Sequence, residues 1–355
     1  MGAGGAAPIP GPALAVCGWS GSGKTTALEA VIPELTAQGL AVGVVKHDAH
    51  GLDVDRPGKD SDRLFRAGAD VVVHAPDEAL ARRHGATELG AVVGQLLADH
   101  DLVLVEGHKG TPLPKIWLAS PDEPAPPAEV ENVLAVLPWG SDRGTALLSL
   151  VRDWLPRAWR RVPVMGGVLV GGASARMGRP KHLLTLAGAT FLERVTAAIR
   201  PSVREVVVVG DAEVPGSPSR LADAPDADGP LAGILAAARW APDRAWVIAA
   251  CDLPRLRREA VEWLIAQREP GRWAVVPGGP AGVEPLLALY EPQARLPLER
   301  LAAQGLRAPR LLAAHPRAHV VAPPPELREC WDNVNTAEDL AALGGDGAGE
   351  PDPGT

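Results

Sequence analysis

Two glycine-rich stretches of this sequence combine glycine with lysine at spacings that suit phosphate binding. The first reads CGWSGSGKTT over residues 17–26, and the second reads LVGGASARMGRPKHLL over residues 169–184. Glycines let backbone N–H groups converge on phosphate oxygens, and cationic side chains neutralise the phosphate charge. The sequence therefore predicts two phosphate-binding loops of different design on one chain.

The first stretch has the Walker A spacing, with Gly18, four further residues, Gly23, Lys24 and Thr25. An apolar run before it and the helix-compatible KTTALEAV after it supply the context that this motif requires. Lys24 is expected to reach the β- and γ-phosphates, and Thr25 is expected to ligate Mg²⁺. Glu106 ends the apolar run LVLV, where a Walker B carboxylate would face the metal or a water. The predicted nucleotide contacts are Gly21, Gly23, Lys24, Thr25 and Thr26, and the predicted metal ligands are Thr25 and Glu106.

The second stretch has neither the Walker A nor the Rossmann spacing. Its glycine-rich loop can wrap a triphosphate, while Arg176 and Lys181 neutralise charge as pyrophosphate leaves. Asp252 ends the apolar run WVIAA, a position from which a carboxylate can hold Mg²⁺ at the crevice of an α/β sheet. A structural alternative is that Asp252 caps a helix beginning near Pro254.

Two further segments support a nucleotide site in this half of the chain. Asp223 precedes the glycine-rich turn at 229–233, which opens a helix where a nucleoside could lie against the backbone. Asn333 and Asn335 offer uncharged oxygen ligands or phosphate and base contacts, and Thr336 begins a capping box for the last helix. The predicted catalytic residues are Arg176, Lys181 and Asp252; the predicted nucleotide contacts are Leu169, Gly171, Gly172, Lys181, Asp223, Gly229 and Asp252, with Asp252 also the metal ligand.

These loops need strands and helices to position them. Each half of the chain contains a series of short apolar runs that alternate with segments of helical composition. Two such series predict an α/β protein with two sheets. A length of 355 residues also favours two domains, which we expect at 12–160 and 161–343, with a disordered tail at 344–355. Pro33 predicts a kink or early stop in the helix after the first loop, and Pro156 is expected to end a later helix. The predicted strands are Leu14–Cys17, Ala41–Val45, Val71–Val73, Leu102–Val105 and Val133–Leu137, then Val164–Val170, Val206–Val209, Trp246–Ala250, Trp273–Val276 and Pro285–Leu289.

Composition excludes several classes of protein. The net charge of −8 argues against a general binder of nucleic acid or of membrane surfaces. Three widely separated cysteines form no CxxC pair, so neither a disulfide framework nor a structural zinc site is predicted. No run reaches the ~18 apolar residues of a membrane span, and the N-terminus lacks the pattern of a signal peptide. We therefore expect a cytoplasmic protein.

The motifs of the first half resemble the MobB family, the P-loop protein of molybdopterin guanine dinucleotide biosynthesis. The resemblance rests on CGWSGSGKTTALEAVIPEL, VGVVKHDAHGLDVDRPGKDSDRLFRAGAD and LVLVEGHKGTPLPKI. It implies a domain that binds GTP, hydrolyses it weakly at most and assists a partner nucleotidyltransferase. Lys46, His47, Asp48 and His50 match the family's KHDxH segment, residues 58–61 match its GKDS, and His108 departs from the expected aromatic residue.

Two questions about this half stay open. His47 and His50 could suggest a metal site, but without a third ligand they are more often solvent or anion contacts. None of the three asparagines precedes a lysine, so the guanine-reading Asn-Lys-x-Asp motif is absent. The base preference of this domain does not follow from the sequence.

The segments of the second half, in this order, resemble the MobA family of molybdenum cofactor guanylyltransferases. The resemblance implies a Rossmann-like nucleotidyltransferase sheet beside a P-loop NTPase sheet. It implies that Gly171, Gly172, Arg176 and Lys181 hold the triphosphate, that the Asp252 carboxylate of CDLP binds Mg²⁺, and that GPLAG at 229–233 recognises guanine. Arg179 and Pro180 stand where an acidic residue is more often expected, and pterin contacts are left unassigned.

The resemblance implies a fusion of adapter and transferase. A phosphate of molybdopterin or Mo-molybdopterin would attack the α-phosphorus of GTP, with Mg²⁺ as cofactor and molybdoenzyme apoproteins as further partners. Because the nucleophile is already anionic, neither a covalent intermediate nor a general base is needed. The alternatives are a sugar-1-phosphate nucleotidyltransferase fused to a P-loop NTPase, or a small-molecule kinase in the first half. The interpretation that we prefer for the first half is a binding module only, which delivers or gates nucleotide or apo-enzyme partners.

Overall fold

A computed structural model describes residues 11–47, 56–85, 88–140, 142–171, 180–212, 214, 220–279 and 282–344. Two separate open sheets with helices packed on their faces make up the described chain. The predicted α/β class with two sheets is confirmed.

The N-terminal sheet has five parallel strands in the order β2-β5-β1-β6-β7. Its central strand β1 is buried from Ala13 to Cys17 and leads directly into the first glycine-rich loop. Helices α1 and α4 cover one face and α3 lies against the other, so each face buries its own apolar cluster. The strands are β1 (Ala13–Gly18), β2 (Val42–Lys46), β3 (Val71–His74), β4 (Ala79–Arg82), β5 (Leu102–Glu106), β6 (Lys115–Leu118) and β7 (Val133–Leu137), and the helices are α1 (Lys24–Ala37), α2 (Asp60–Arg66), α3 (Leu89–Leu97) and α4 (Arg143–Arg160).

One predicted strand lies outside this sheet. Val71–His74 pairs antiparallel with Ala79–Arg82 as a separate two-stranded hairpin, so it is not a strand of the parallel sheet. On the side away from β5, β1 pairs with β6, which the apolar pattern did not single out because it begins with a lysine. Lys115 is buried there because its Nζ donates to three carbonyl oxygens, including those of Leu113 and Glu131.

The predicted helix end at Pro156 was wrong, and so was the early stop at Pro33, which was one of the two alternatives given for that position. Helix α1 continues past Pro33 to Ala37, and α4 continues past Pro156 to Arg160. Each proline lies on a helix whose apolar residues before and after it are buried against the sheet. Tertiary packing of those residues outweighs the single backbone hydrogen bond that a proline removes.

The C-terminal sheet is mixed, with eight strands. The order is β12-β11-β8-β13-β16-β14-β15, and β17 pairs with β14. Strands β12, β11, β8 and β13 are parallel, whereas β16 runs antiparallel to both of its neighbours. The strands of this half are β8 (Val164–Leu169), β9 (Thr185–Leu186), β10 (Ala189–Thr190), β11 (Val206–Val209), β12 (Arg220–Leu221), β13 (Ala245–Ala250), β14 (Ala274–Gly279), β15 (Gly282–Val283), β16 (Leu287–Tyr290) and β17 (Ala318–Val321), and the helices are α5 (Phe191–Ile199), α6 (Pro230–Trp240), α7 (Arg258–Ala266), α8 (Arg295–Ala303) and α9 (Ala337–Ala342). Strands β9 and β10 lie outside the eight-stranded sheet and pair with each other as a separate antiparallel hairpin.

The two sheets meet through buried polar side chains. The carboxylate of Asp101, which lies just before β5, accepts hydrogen bonds from Trp273 Nε1 at 2.7 Å and from Arg317 at 2.5 Å. Gln293 Nε2 donates to Leu97 O and His100 O at 3.0 Å each. These residues lie at the edge where the parallel strands of each sheet begin.

A second buried cluster joins α4 to the end of β16. Glu291 accepts hydrogen bonds from Arg268 at 2.6 Å and from Trp159 Nε1 at 3.0 Å, and the Arg268 and Glu291 side chains are each only 1% exposed. Arg268 also donates to the backbone oxygen of Val162 at 3.1 Å. Because this buried charge pair makes all of these hydrogen bonds, it fixes the orientation of the groups that it joins.

Within the described part of the chain, no helix combines the length and apolar character that crossing a bilayer requires. The cysteines Cys17, Cys251 and Cys330 are all buried and free.

Candidate functional site

The first glycine-rich loop follows β1 and opens α1. Gly21 and Gly23 have φ values of 76° and 78°, in the left-handed region where a residue with a side chain would be strained. Helix α1 begins at Lys24 with Gly23 as its N-cap, and no side chain bonds to the N–H groups of its first turn. The loop therefore presents free N–H donors and the positive end of a helix dipole to an anion.

Lys24 is folded back onto this loop. Its Nζ donates to the carbonyl oxygens of Gly18 at 3.2 Å and Trp19 at 2.8 Å. Burial lowers the pKa of Lys24, while the Glu106 charge opposes that shift. Because both partners are neutral carbonyls, phosphate oxygens would be stronger acceptors for the same ammonium group.

Thr25 and Glu106 meet at the carboxyl edge of the sheet. The Thr25 hydroxyl donates to Glu106 Oε1 at 2.9 Å, and Lys46 Nζ lies 4.0 Å from the same oxygen. Adjacent strands β1 and β5 bring the two residues together. A hydroxyl and a carboxylate next to a phosphate site match the oxygen ligands that Mg²⁺ uses, so these residues fit the predicted metal.

The histidine segment beside this loop forms no described metal centre. The rings of His47 and His108 are in contact, with centroids 4.0 Å apart and planes tilted by 40°, and His108 has a φ of 54°. Burial, followed by repulsion from His47, lowers the pKa of His108. Asp48 and His50 lie outside the described residues. Among the described residues, no group of three or more His, Cys, Asp or Glu side chains is arranged to hold a metal.

An arginine that the sequence prediction missed ties this loop to the rest of the sheet. Arg143, in the first turn of α4, donates to the carbonyl oxygens of Ser22 in the loop, Ala119 after β6 and Pro138 after β7. Its guanidinium lies over the ring of Trp139, 4.8 Å from the centroid. A lone arginine after a strand matches no motif. Its position at the start of a helix that faces the Walker A loop could have indicated a role at this site.

The second candidate site centres on three polar side chains at the carboxyl edge of the C-terminal sheet. Lys181 Nζ lies 2.8 Å from Asp252 Oδ2 and 2.7 Å from Asn335 Oδ1. Asp252 follows β13, and its backbone oxygen accepts a hydrogen bond from Val334 N at 3.0 Å, which holds the 334–335 segment beside it. Residues from three distant parts of the sequence therefore converge as predicted.

The other oxygen of Asp252 has a different environment. Asp252 Oδ1 is buried, and no described group bonds to it. The next helix begins at Arg258 with Arg257 as its N-cap, so the alternative of Asp252 as a cap near Pro254 was wrong. A buried carboxylate oxygen without a partner is costly unless something binds it, which fits a divalent cation.

A cavity of about 310 Å³ opens beside this cluster. Gly229, with a φ of 61°, is the N-cap of α6, as the sequence predicted. Burial, followed by the charge of Asp211, raises the pKa of Asp223 on the cavity wall. The lining comprises Leu169, Val170, Gly171, Lys181, Val209, Asp223, Gly229, Pro230, Gly233, Ala250, Cys251, Asp252 and Leu286. Of the predicted site residues, Gly172 and Arg176 lie outside the described residues.

Family models match both halves of the chain. Residues 13–139 match MobB, described as molybdopterin guanine dinucleotide synthesis protein B. Residues 166–320 match the MobA-like NTP transferase domain.

Characterised relatives divide in the same way. The molybdopterin-guanine dinucleotide biosynthesis adapter protein of Haemophilus influenzae is 46% identical over 133 residues, which are 35% of this chain and 73% of that protein. The molybdenum cofactor guanylyltransferase of Nitrobacter hamburgensis is 34% identical over 197 residues, which are 50% of this chain and 92% of that protein.

Two solved structures are also similar to parts of this chain. Molybdopterin-guanine dinucleotide biosynthesis protein A from Archaeoglobus fulgidus is 31% identical with a TM-score of 0.43, over 50% of this chain and 96% of that one. A structure of molybdopterin-guanine biosynthesis protein B is 28% identical with a TM-score of 0.32, over 40% of this chain and 98% of that one.

Proposed function

Because this chain belongs to the MobB family in its N-terminal part and to the MobA-like NTP transferases in its C-terminal part, we propose that it is a molybdenum cofactor guanylyltransferase with a fused GTP-binding adapter domain. The C-terminal domain transfers GMP from GTP to molybdopterin or Mo-molybdopterin. An oxygen of the pterin's terminal phosphate forms a bond to the α-phosphorus, and the bond from that phosphorus to pyrophosphate breaks. The products are molybdopterin guanine dinucleotide and pyrophosphate.

The cluster of Lys181, Asp252 and Asn335 beside the glycine-rich cavity is the observation that carries this proposal. Lys181 exchanges its carboxylate partner for the triphosphate and neutralises the pyrophosphate that leaves. The turn that begins at Gly229 leaves backbone groups accessible to the guanine base. Arg176 acts on the same triphosphate from the adjoining loop.

We assign the metal of this domain to Asp252, with Asn335 as a neutral oxygen donor. The unpartnered Oδ1 supports a cation at this position. A bound Mg²⁺ would polarise the α-phosphoryl oxygens. With one carboxylate and one amide from the protein, the remaining ligands would be phosphate oxygens and water, which is the usual pattern for Mg²⁺.

The N-terminal domain is proposed to bind GTP through its Walker A loop and to act as an adapter. Gly21, Gly23, Lys24, Thr25 and Thr26 hold the phosphates, and Thr25 with Glu106 holds Mg²⁺. The domain division is proposed at 12–160 and 161–343. Molybdoenzyme apoproteins are the proposed recipients of the product.

The test is to incubate the chain with Mg²⁺, molybdopterin and molybdate, adding GTP, CTP or ATP in separate reactions. We expect a guanine dinucleotide, identified by mass, and pyrophosphate only with GTP. A cytosine dinucleotide would overturn the assignment of the 229–233 turn to guanine. Transfer to a hexose 1-phosphate in place of the pterin would support the sugar nucleotidyltransferase alternative instead.

A further inference from the structure

A second cavity, of about 490 Å³, lies beside the Walker A loop and is distinct from the transferase cavity. One wall belongs to the start of α1, and the other to residues that follow β7 and begin α4. We call these residues the 139–144 segment, in which Ser141 lies outside the described residues and is not part of the lining. Neither the family motifs nor the predicted site residues assign a role to this segment. The lining comprises Gly23, Thr26, Ala27, Ala30, Trp139, Gly140, Asp142, Arg143 and Gly144.

The cavity lies where a nucleotide would continue beyond its phosphates. In a Walker A loop the lysine and the metal serve the β- and γ-phosphates. The Lys24 and Glu106 side chains therefore mark the γ end of the site, while Thr26, one residue past the metal ligand, marks the α end. Because Thr26 also lines the cavity, the ribose and base of a bound nucleotide have this space to enter.

Trp139 gives the cavity an aromatic wall. Its side chain is 53% exposed, although tryptophan is usually much more buried. An exposed indole face offers a stacking surface for a base, and such stacking contributes ~1–3 kcal/mol per base in single-stranded nucleic-acid sites. The Arg143 guanidinium lies over the same ring, 4.8 Å from its centroid, and adds positive charge to the cavity wall.

The 139–144 segment is held rigidly against the loop. Arg143 bonds to the loop at Ser22 O and to the sheet at Ala119 O. At Gly144, an added Cβ would lie 2.8 Å from the Cβ of Ala30, so only glycine lets α4 approach α1 this closely. A subsite on this segment therefore has a fixed distance from the phosphate cradle.

Asp142 supplies a carboxylate on the same wall. Its oxygens accept hydrogen bonds from Thr145 N at 3.2 Å and from Thr145 Oγ1 at 2.7 Å, which lowers its pKa and keeps it ionised. Each carboxylate oxygen has a further lone pair to offer. Guanine presents two adjacent N–H donors on one edge, whereas adenine presents a donor beside an acceptor.

We propose that the 139–144 segment is the nucleoside subsite of the N-terminal domain, with Trp139 stacking on the base and Asp142 selecting guanine. This inference rests on the proposed nucleotide binding of the Walker A loop. It supplies the base preference that the motifs leave open.

The experiment measures equilibrium binding of GTP and of inorganic tripolyphosphate to the full-length chain with Mg²⁺. The N-terminal site is identified as the GTP site that disappears in Lys24→Ala. We expect Trp139→Ala to weaken GTP binding at this site by roughly 5- to 100-fold, in line with the loss of one base stack. Tripolyphosphate, which has no base, should bind with unchanged affinity, and Trp139→Phe should restore most of the GTP affinity.

Asp142→Asn tests the selection of guanine. Asparagine also caps helices well, so α4 should begin as before. We expect the preference for GTP over ATP and ITP to fall by about tenfold, because the amide keeps only one acceptor oxygen. An unchanged preference would overturn the role of Asp142.

Trp240→Ala is the matched control, because Trp240 is a similarly exposed tryptophan on α6, away from this cavity. It should leave both affinities unchanged. Equal weakening of GTP and tripolyphosphate by Trp139→Ala would show an effect on the cradle and overturn the subsite. If Lys24→Ala removes no GTP site, the Walker A loop does not bind nucleotide as proposed. This result differs from a failure of the subsite alone, in which Lys24→Ala removes a GTP site but Trp139→Ala has no specific effect on GTP.

Discussion

Lys181 and Asp252 form an ion pair, with Nζ 2.8 Å from Oδ2, although 70 residues lie between them in the sequence. The pair leaves Asp252 Oδ1 buried without a partner. One carboxylate therefore holds a lysine that can move to a phosphate and an oxygen that can receive a cation.

Replacing Asp252 with asparagine tests this arrangement. We expect Asp252→Asn to reduce guanine dinucleotide formation by at least ~100-fold, which is typical of losing a group that stabilises developing charge. The side chain keeps its size, so thermal unfolding should change little. Asp243→Asn, at a partly exposed site that does not line the cavity, should retain full transfer. Transfer at the wild-type rate by Asp252→Asn would contradict the metal assignment.

The number of bound GTP molecules is a second prediction. The two cradles are separate, so the wild-type chain should bind two equivalents of GTP in equilibrium dialysis with Mg²⁺. Lys24→Ala removes the ammonium group that serves the β- and γ-phosphates, so one equivalent should remain. A single equivalent in the wild-type chain would mean that one cradle does not bind GTP.

The contact between the sheets should contribute measurably to stability. Asp101→Ala removes the acceptor of Trp273 Nε1 and leaves Arg317 without its buried partner. We expect the free energy of unfolding, measured in urea, to fall by about 2–4 kcal/mol, since breaking a buried charged interaction is costly.

Asp122→Ala provides the comparison for this measurement. Asp122 is an exposed loop carboxylate, so its loss should change stability by less than about 0.5 kcal/mol. Equal changes in the free energy of unfolding for the two variants would show that Asp101 does not stabilise the contact between the sheets.

The cysteines should resist thiol reagents in the folded protein. Burial raises the pKa of the Cys17 thiol to about 11 and that of Cys251 to about 12, and Cys330 is fully buried. A raised thiol pKa keeps the group protonated at pH 8, and only the thiolate reacts. A disulfide reagent at pH 8 should therefore modify the native chain slowly, and three thiols should react after unfolding in guanidinium chloride. Rapid reaction of any thiol in the folded chain would contradict this prediction.

Short motifs with fixed spacing predicted the parts of the molecule that depend on local geometry. The Walker A loop requires a strand before it and a helix after it, and both are present around Gly23. The sequence placed Asp252 at the end of an apolar strand and Lys181 in a glycine-rich loop, and the structure shows that Lys181 bonds to both Asp252 and Asn335. Candidate phosphate-binding and metal-binding residues of this kind can be predicted from residue types and spacing.

Features that depend on tertiary packing were not predictable in the same way. Pro33 and Pro156 look like helix breakers until the buried faces on either side of them are known. The hairpin at Val71–His74 has the apolar run of a sheet strand, and only its pairing partner separates the two possibilities. Asp101 precedes the apolar strand β5, and Glu291 follows the apolar strand β16, each as a single acidic residue. The sequence gives no sign that either side chain bonds to the other half of the chain.

The contact between the two sheets lies at the opposite end of each sheet from its glycine-rich loop. Asp101, Gln293 and their partners lie where the parallel strands begin, whereas both cradles lie where strands end. Each of the leading strands β1 and β8 has six residues, and at ~3.3 Å per residue it sets its cradle roughly 20 Å back from that junction. The two proposed nucleotide sites therefore lie at the ends of their sheets that are far from the junction, so the residues that join the sheets take no direct part in either site.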